Sequence, residues 1–133
     1  MQDQETVEQK GHILIIEDEQ EVNELLNDFL NIHGYKTTVV NNGAEAWGYI
    51  KNEPPDLIIT DLLLPGEHGL DLINQINNEF FIPIIIISGI YKSKEVQKSM
   101  DCGCVTAFFE KPLGLKKVLR KIEAILESHS GNG

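Results

Sequence analysis

The chain is poor in cysteine, in basic residues and in long apolar runs. Only two of its 133 residues are cysteines, Cys102 and Cys104, separated by a single residue. Two thiols cannot frame a disulfide-stapled fold, and C-x-C without further ligands is not a zinc signature. Buried or half-buried thiols are expected instead. Lys and Arg number 11 against 21 Asp and Glu, a formal net charge of −10. Phosphate backbones demand Lys and Arg, so no direct nucleic-acid partner is expected. No apolar run approaches the roughly 18 residues needed to cross a bilayer, so no membrane partner is expected either. The N-terminal MQDQETVEQK is polar and acidic, without the basic-then-apolar order of a signal peptide, and a cytoplasmic location follows as an expectation. The shortage of positive charge is uneven: residues 1–91 hold 3 basic and 16 acidic side chains, residues 92–133 hold 8 and 5. Such asymmetry can steer a partner to one face.

What is present suits one domain with a real core. Residues 1–10 are expected to be a disordered tail, 11–127 the folded domain and 128–133 a tail or the start of a linker. HILII (12–16), KTTVV (36–40), LIIT (57–60), IPIIIIS (82–88) and TAFFE (106–110) are short, nearly continuous apolar runs. They suit parallel strands covered on both faces. Helical periods fill the gaps. Val22, Leu25, Leu26, Phe29 and Leu30 form one stripe, which Gly34 can end. Asn42 with Glu45 resembles a capping box before Ala46, Trp47 and Ile50. Leu70, Ile73 and Ile76 mark a third helix. Ser93 caps a weaker fourth with Val96 and Met100. Leu115, Val118, Leu119, Ile122 and Leu126 define the last. Five strands alternating with five helices imply an α/β doubly wound parallel sheet with right-handed crossovers.

In such sheets ligands bind beyond the carboxyl ends of the strands. The first strand ends in Glu17-Asp18, the third in Asp61, the fourth in Ser88 and the last in Glu110-Lys111. If these strands lie side by side, carboxylates, a hydroxyl and an ammonium gather at one rim. Crowded carboxylates raise one another's pKa unless a cation joins them. Hard oxygen ligands few in number suit Mg2+, with Mn2+ as a substitute. A carboxylate can also act as a nucleophile and form an acyl phosphate. The four histidines, His12, His33, His68 and His129, have no metal-ligand spacing and are expected to be incidental.

LIIEDE, DLIITDLLLPGEHGLDL, IIIISG and FFEKPL together resemble the signature blocks of the receiver domain of two-component response regulators, over roughly residues 11–127. The resemblance implies a flavodoxin-like (βα)5 fold of strand order 2-1-3-4-5. It implies phosphorylation of Asp61 by a histidine kinase or phosphotransfer protein, with Asp18 and Asp61 binding Mg2+ directly. Glu17 would bind through water, and Leu63 through its main-chain carbonyl. Ser88 matches the family's switch hydroxyl, Phe108 its switch aromatic and Lys111 its lysine. Lys111-Pro112 matches a peptide bond usually cis in the family. On this reading the chain is no enzyme of external substrates and catalyses only its own phosphorylation and dephosphorylation. Its output would leave through the face of the fourth helix, last strand and last helix, toward a downstream protein or a second copy.

The sequence departs from the family pattern in places. Glu17 and Ser88 stand where aspartate and threonine are more frequent, and Phe108 where a tyrosine is common. From Gly103 to Lys111 the spacing is one residue longer. Leu63 and Ile90, which flank the path of an attacking water, are aliphatic and cannot orient it, so a persistent phosphoryl group is expected. Two alternatives stay open: a binding module that is never phosphorylated, and an Mg2+-dependent hydrolase. The intact set of site residues disfavours the first, and the lack of a second aspartate at Leu63 disfavours the second.

Overall fold

Isoleucine, leucine and valine runs build the centre of the molecule. A computed structural model describes residues 10–64, 67–89, 98, 101 and 103–130, of which 63–64, 67–68 and 128–130 by backbone. The elements are β1 (Gly11–Ile16), α1 (Gln20–Ile32), β2 (Tyr35–Val40), α2 (Gly43–Asn52), β3 (Leu57–Asp61), β4 (Leu63–Leu64), β5 (Glu67–His68), α3 (Gly69–Glu79), β6 (Ile84–Ser88), β7 (Val105–Glu110) and α4 (Leu115–Ser130). Five strands form one sheet in the order β2-β1-β3-β6-β7, all pairs parallel. Counting only its own strands, that is the expected 2-1-3-4-5. A two-residue antiparallel ribbon, β4 with β5, was not foreseen.

The central strands are buried on both faces, so their side chains alternate between two cores. Leu14, Ile16, Ile58, Ile84 and Ile86 pack with Ala46, Ile50, Leu72, Ile73 and Ile76 of α2 and α3. Ile13, Ile15, Ile59, Ile85 and Ile87 pack with Leu26, Leu30, Val118 and Ile122 of α1 and α4. Each fully buried side chain of this kind contributes roughly 1.5–3 kcal/mol. Among the described residues no helix is long and apolar enough to cross a membrane.

Several local expectations are corrected. Ile82 and Pro83 precede the fourth main strand instead of opening it; Pro83 has no N–H to give, and its carbonyl accepts from Ile58 N at 3.0 Å. Leu25 lies 100° behind Leu26 on the helix and is 50% exposed, not core. Trp47 is only half-buried, edge-on to Phe80. The capping box is real but shifted: Asn42 Oδ1 accepts from Glu45 N at 2.9 Å, while Glu45 accepts from Asn41 N, not from Asn42. Gly34, at φ +97°, ends α1 in the left-handed region as expected. The expected fourth helix, with Ser93, Val96 and Met100, lies outside the described residues, as do the N-terminal tail through residue 9, Pro65, Gly66, Ile90, Lys92, Lys94, Cys102 and residues 131–133. The side chains of Leu63, His68 and His129 also lie outside them.

The extra residue between Gly103 and Lys111 is absorbed within a strand. Ile84 pairs with Val105, but Ile85 pairs with Ala107, so Thr106 is an inserted residue of a β-bulge. Its hydroxyl donates to Ile84 O at 3.3 Å. His12, expected to be incidental, joins three elements. Its Nε2 lies 2.9 Å from Thr38 Oγ1 of β2 and 3.2 Å from Tyr49 OH of α2, and those two hydroxyls are 3.1 Å apart.

Candidate functional site

Parallel register brings the expected residues to one rim. Ile16 pairs with Thr60, Asp61 with Ile87, and Ser88 with Glu110, so the chain leaves β1, β3, β6 and β7 at nearly the same level. Glu17 follows β1 and is completely buried; Asp61 ends β3 at 5% exposure; Ser88 ends β6 at 1%. Lys111 follows β7, and its backbone N–H donates to Ser88 O at 2.9 Å. The Lys111-Pro112 peptide bond is cis. Gly69 lets α3 start hard against the residue after Asp61: a Cβ there would lie 2.5 Å from Leu62 O, which no side chain tolerates.

Lys111 Nζ is the hub. It donates to Asp61 Oδ2 at 2.8 Å and sits 2.9 Å from Glu17 Oε1. It also bonds Glu19 Oε1, a residue the sequence reading did not single out. Carboxylate oxygens of Glu17, Glu19 and Asp61 all lie within 4.8 Å of one another. Asp18 is exposed and is not part of that group. Phe108 pairs with Ile86 in register and packs, half-buried, against the core on the α2 and α3 side.

The electrostatics are unbalanced. Three carboxylates share the one ammonium among the described residues there. Burial pushes the Glu17 carboxyl above its ordinary value; the Lys111 and Glu19 hydrogen bonds oppose this and do not overcome it. Burial alone would lower the Lys111 ammonium, but its bonds to Asp61, Glu19 and Glu17 raise it well above the usual lysine value. Glu17 Oε1 is buried, and its contact among the described residues is with the Lys111 ammonium at 2.9 Å. Clustered, hard oxygens fit a small divalent cation such as Mg2+. The same rim holds the Asp61 carboxylate 2.8 Å from the Lys111 ammonium, at the end of the strand next to the one that closes on the buried Ser88 hydroxyl, groups that phosphoryl transfer can use.

Comparison with known proteins converges on one family. The family model described as the response regulator receiver domain matches residues 13–123. The response regulator GtcR of Aneurinibacillus migulanus is 36% identical over 115 residues, covering 86% of this chain and 47% of that protein. The transcriptional regulatory protein KdpE of Staphylococcus aureus is 35% identical over 123 residues, covering 90% of this chain and 53% of that one. The chain thus spans about half the length of the curated relatives it matches. Among solved structures, a two-component response regulator from Clostridium difficile superposes with a TM-score of 0.84 at 28% identity, covering 90% of this chain and 98% of its own. The signal receiver domain of a signal transduction histidine kinase from Syntrophus aciditrophicus gives 0.82 at 31%, covering 90% and 92%.

Proposed function

The chain belongs to the response regulator receiver domain family, and from that premise we propose that Asp61 accepts a phosphoryl group from a phosphohistidine. The donor is a histidine kinase or a phosphotransfer protein, and the setting is the cytoplasm. A carboxylate oxygen of Asp61 attacks phosphorus. The O–P bond of an acyl phosphate forms as the P–N bond breaks, and the electron pair returns to the imidazole. Lys111, already bonded to the acceptor carboxylate, neutralises phosphoryl oxygens as a point charge. Ser88 donates its hydroxyl to one of them. Glu17, Asp18, Asp61 and the Leu63 main-chain carbonyl would hold Mg2+ or Mn2+, with Glu19 beside them. That cation supplies the positive charge that this acidic rim lacks. The observation that carries the reading is the bond between Lys111 and Asp61, 50 residues apart in sequence, within a carboxylate cluster at the carboxyl ends of the strands.

The new charge and acceptor oxygens at Asp61 draw Ser88 inward, and Phe108 fills the space it leaves. The signal leaves through segment 92–100, β7 and α4, where Lys116, Lys117, Arg120 and Lys121 are exposed. This face meets a downstream protein or a second copy, and phosphorylation shifts a two-state equilibrium toward the binding form. Leu63 and Ile90 leave the phosphoryl group long-lived, and a half-life of seconds in the isolated Mg2+-bound domain would remove that element. The main test is acetyl phosphate with and without Mg2+, read by intact mass. One phosphoryl group per chain is expected with Mg2+, and none in chelator or in Asp61→Asn. Absence of any modification would leave a binding module, and continuous turnover would point to a hydrolase.

A further inference from the structure

Glu17 is held at every polar atom by a different part of the chain. Its N–H donates to Val40 O of β2 at 3.1 Å. Its Oε2 accepts from Glu19 N at 2.9 Å, and Lys111 Nζ lies 2.9 Å from its Oε1. Its carbonyl oxygen accepts from Asn23 Nδ2 at 2.7 Å. The last bond reaches back from the first turns of α1 to the exit of β1. It spans the turn that carries Asp18 and Glu19. Glu19, at the N-cap position, makes no side-chain cap bond, since its carboxylate is turned to Lys111. The backbone of this turn is therefore secured from the helix side by Asn23, through its side chain and through its N–H to Glu19 O at 3.1 Å.

Asn23 sits in an odd position for a residue that only stabilises the fold. It is 9% exposed, and a carbonyl can only accept, so its Nδ2 must face Glu17 O and its Oδ1 must face away. That Oδ1 is buried with no donor among the described residues. A buried amide oxygen left unpaired is costly. We propose that Asn23 is a positioning residue for the cation site, holding the Glu17 carbonyl so that Glu17 and Glu19 present their oxygens together with Asp61. This deepens the phosphoacceptor reading and rests on it. Partners one step removed from ligands commonly tune metal affinity in this way.

The test compares the whole chain with Asn23→Leu and Asn23→Ala. Mg2+ affinity is measured by calorimetry, Mn2+ binding by its effect on water proton relaxation, and stability by urea unfolding. Both variants are expected to lose about tenfold in affinity for either cation, whatever the urea midpoint loses to the unpaired Glu17 carbonyl. A merely structural role predicts lower stability with unchanged affinity, and that result overturns the proposal. If Asn23→Leu does not fold, Asn23→Ala decides. If neither folds, Asn23→Gln decides by the same two measurements: affinity kept at the parent's level overturns the proposal, and lost affinity supports it. A parent chain that binds neither cation refutes the phosphoacceptor reading itself, which is a distinct outcome.

Discussion

The two ends of β1 carry polar groups of about equal number and opposite design. At the amino end, His12, Thr38 and Tyr49 bond one another. The His12 backbone exchanges bonds with Asp56, its N–H donating to Asp56 Oδ2 and its carbonyl accepting from Asp56 N, both at 2.8 Å. Lys36 and Glu53 form an exposed pair beside them. These groups are neutral or paired in charge, apart from the Asp56 carboxylate, which caps the His12 backbone N–H. At the carboxyl end, three carboxylates lean on one lysine. A fold does not need such an imbalance, whereas a site that takes up a cation and a phosphoryl group does. Buried polarity alone therefore does not mark function. Incomplete neutralisation does.

Removing the hub should break the contrast most sharply. Lys111→Ala leaves Glu17 and Asp61 buried without their counter-ion, and a loss of about 3 kcal/mol is expected from urea unfolding in chelator. Saturating Mg2+ should return part of it, because a cation can replace the missing charge. An equal loss with and without Mg2+ would mean that the carboxyl rim is as self-contained as the amino rim. Tyr49→Phe is the matching cut at the other end. It removes one hydroxyl and leaves the His12–Thr38 pair, for a cost of about 1 kcal/mol, and Mg2+ affinity should not change.

The smallest effect is in pH, where the two rims should differ in sign. Burial, then Lys36, lowers the His12 pKa, and the weaker opposing pull of Glu53 and Asp56 does not restore it. The unfolded chain then binds this proton more tightly than the folded one. Stability from His12 is intact above 6.5 and falls as pH drops through that value. Glu17 behaves oppositely. Its folded pKa is raised, so the cost of ionising it is absent below 4.5 and grows as pH rises through the folded value. Urea midpoints against pH, without Mg2+, should show the acid-side loss diminished in His12→Gln and the alkaline-side cost diminished in Glu17→Gln. Parallel curves for both variants and the parent would erase the distinction.

The sequence showed the strands and the residues that end them, because buried parallel strands are nearly unmixed apolar runs and a charge at such a run's end stands out; their order came only through the resemblance to the receiver family. It did not show which exposed acidic side chain after β1 reaches Lys111. Asp18 and Glu19 are neighbours in a turn, and no periodicity separates them; only the loop path sends Glu19 to Lys111. Asn23 was hidden for a related reason, since one asparagine in an amphipathic helix looks like solvent-facing polarity. Its position between Val22 and Leu26 is the one available hint. Leu25 misled in the other direction, because hydrophobicity alone does not say which edge of a stripe reaches the core. His12 gave no sign at all, as its partners come from β2 and α2.

The bulge at Thr106 has a consequence for lineage and engineering alike. A strand carries side chains in strict two-beat alternation, so a single inserted residue would ordinarily throw everything after it onto the wrong face. Here the beat is lost and recovered between Val105 and Ala107. Phe108 and Lys111 keep their phase with β6, and the approach to this strand can change in length while the rim stays in tune.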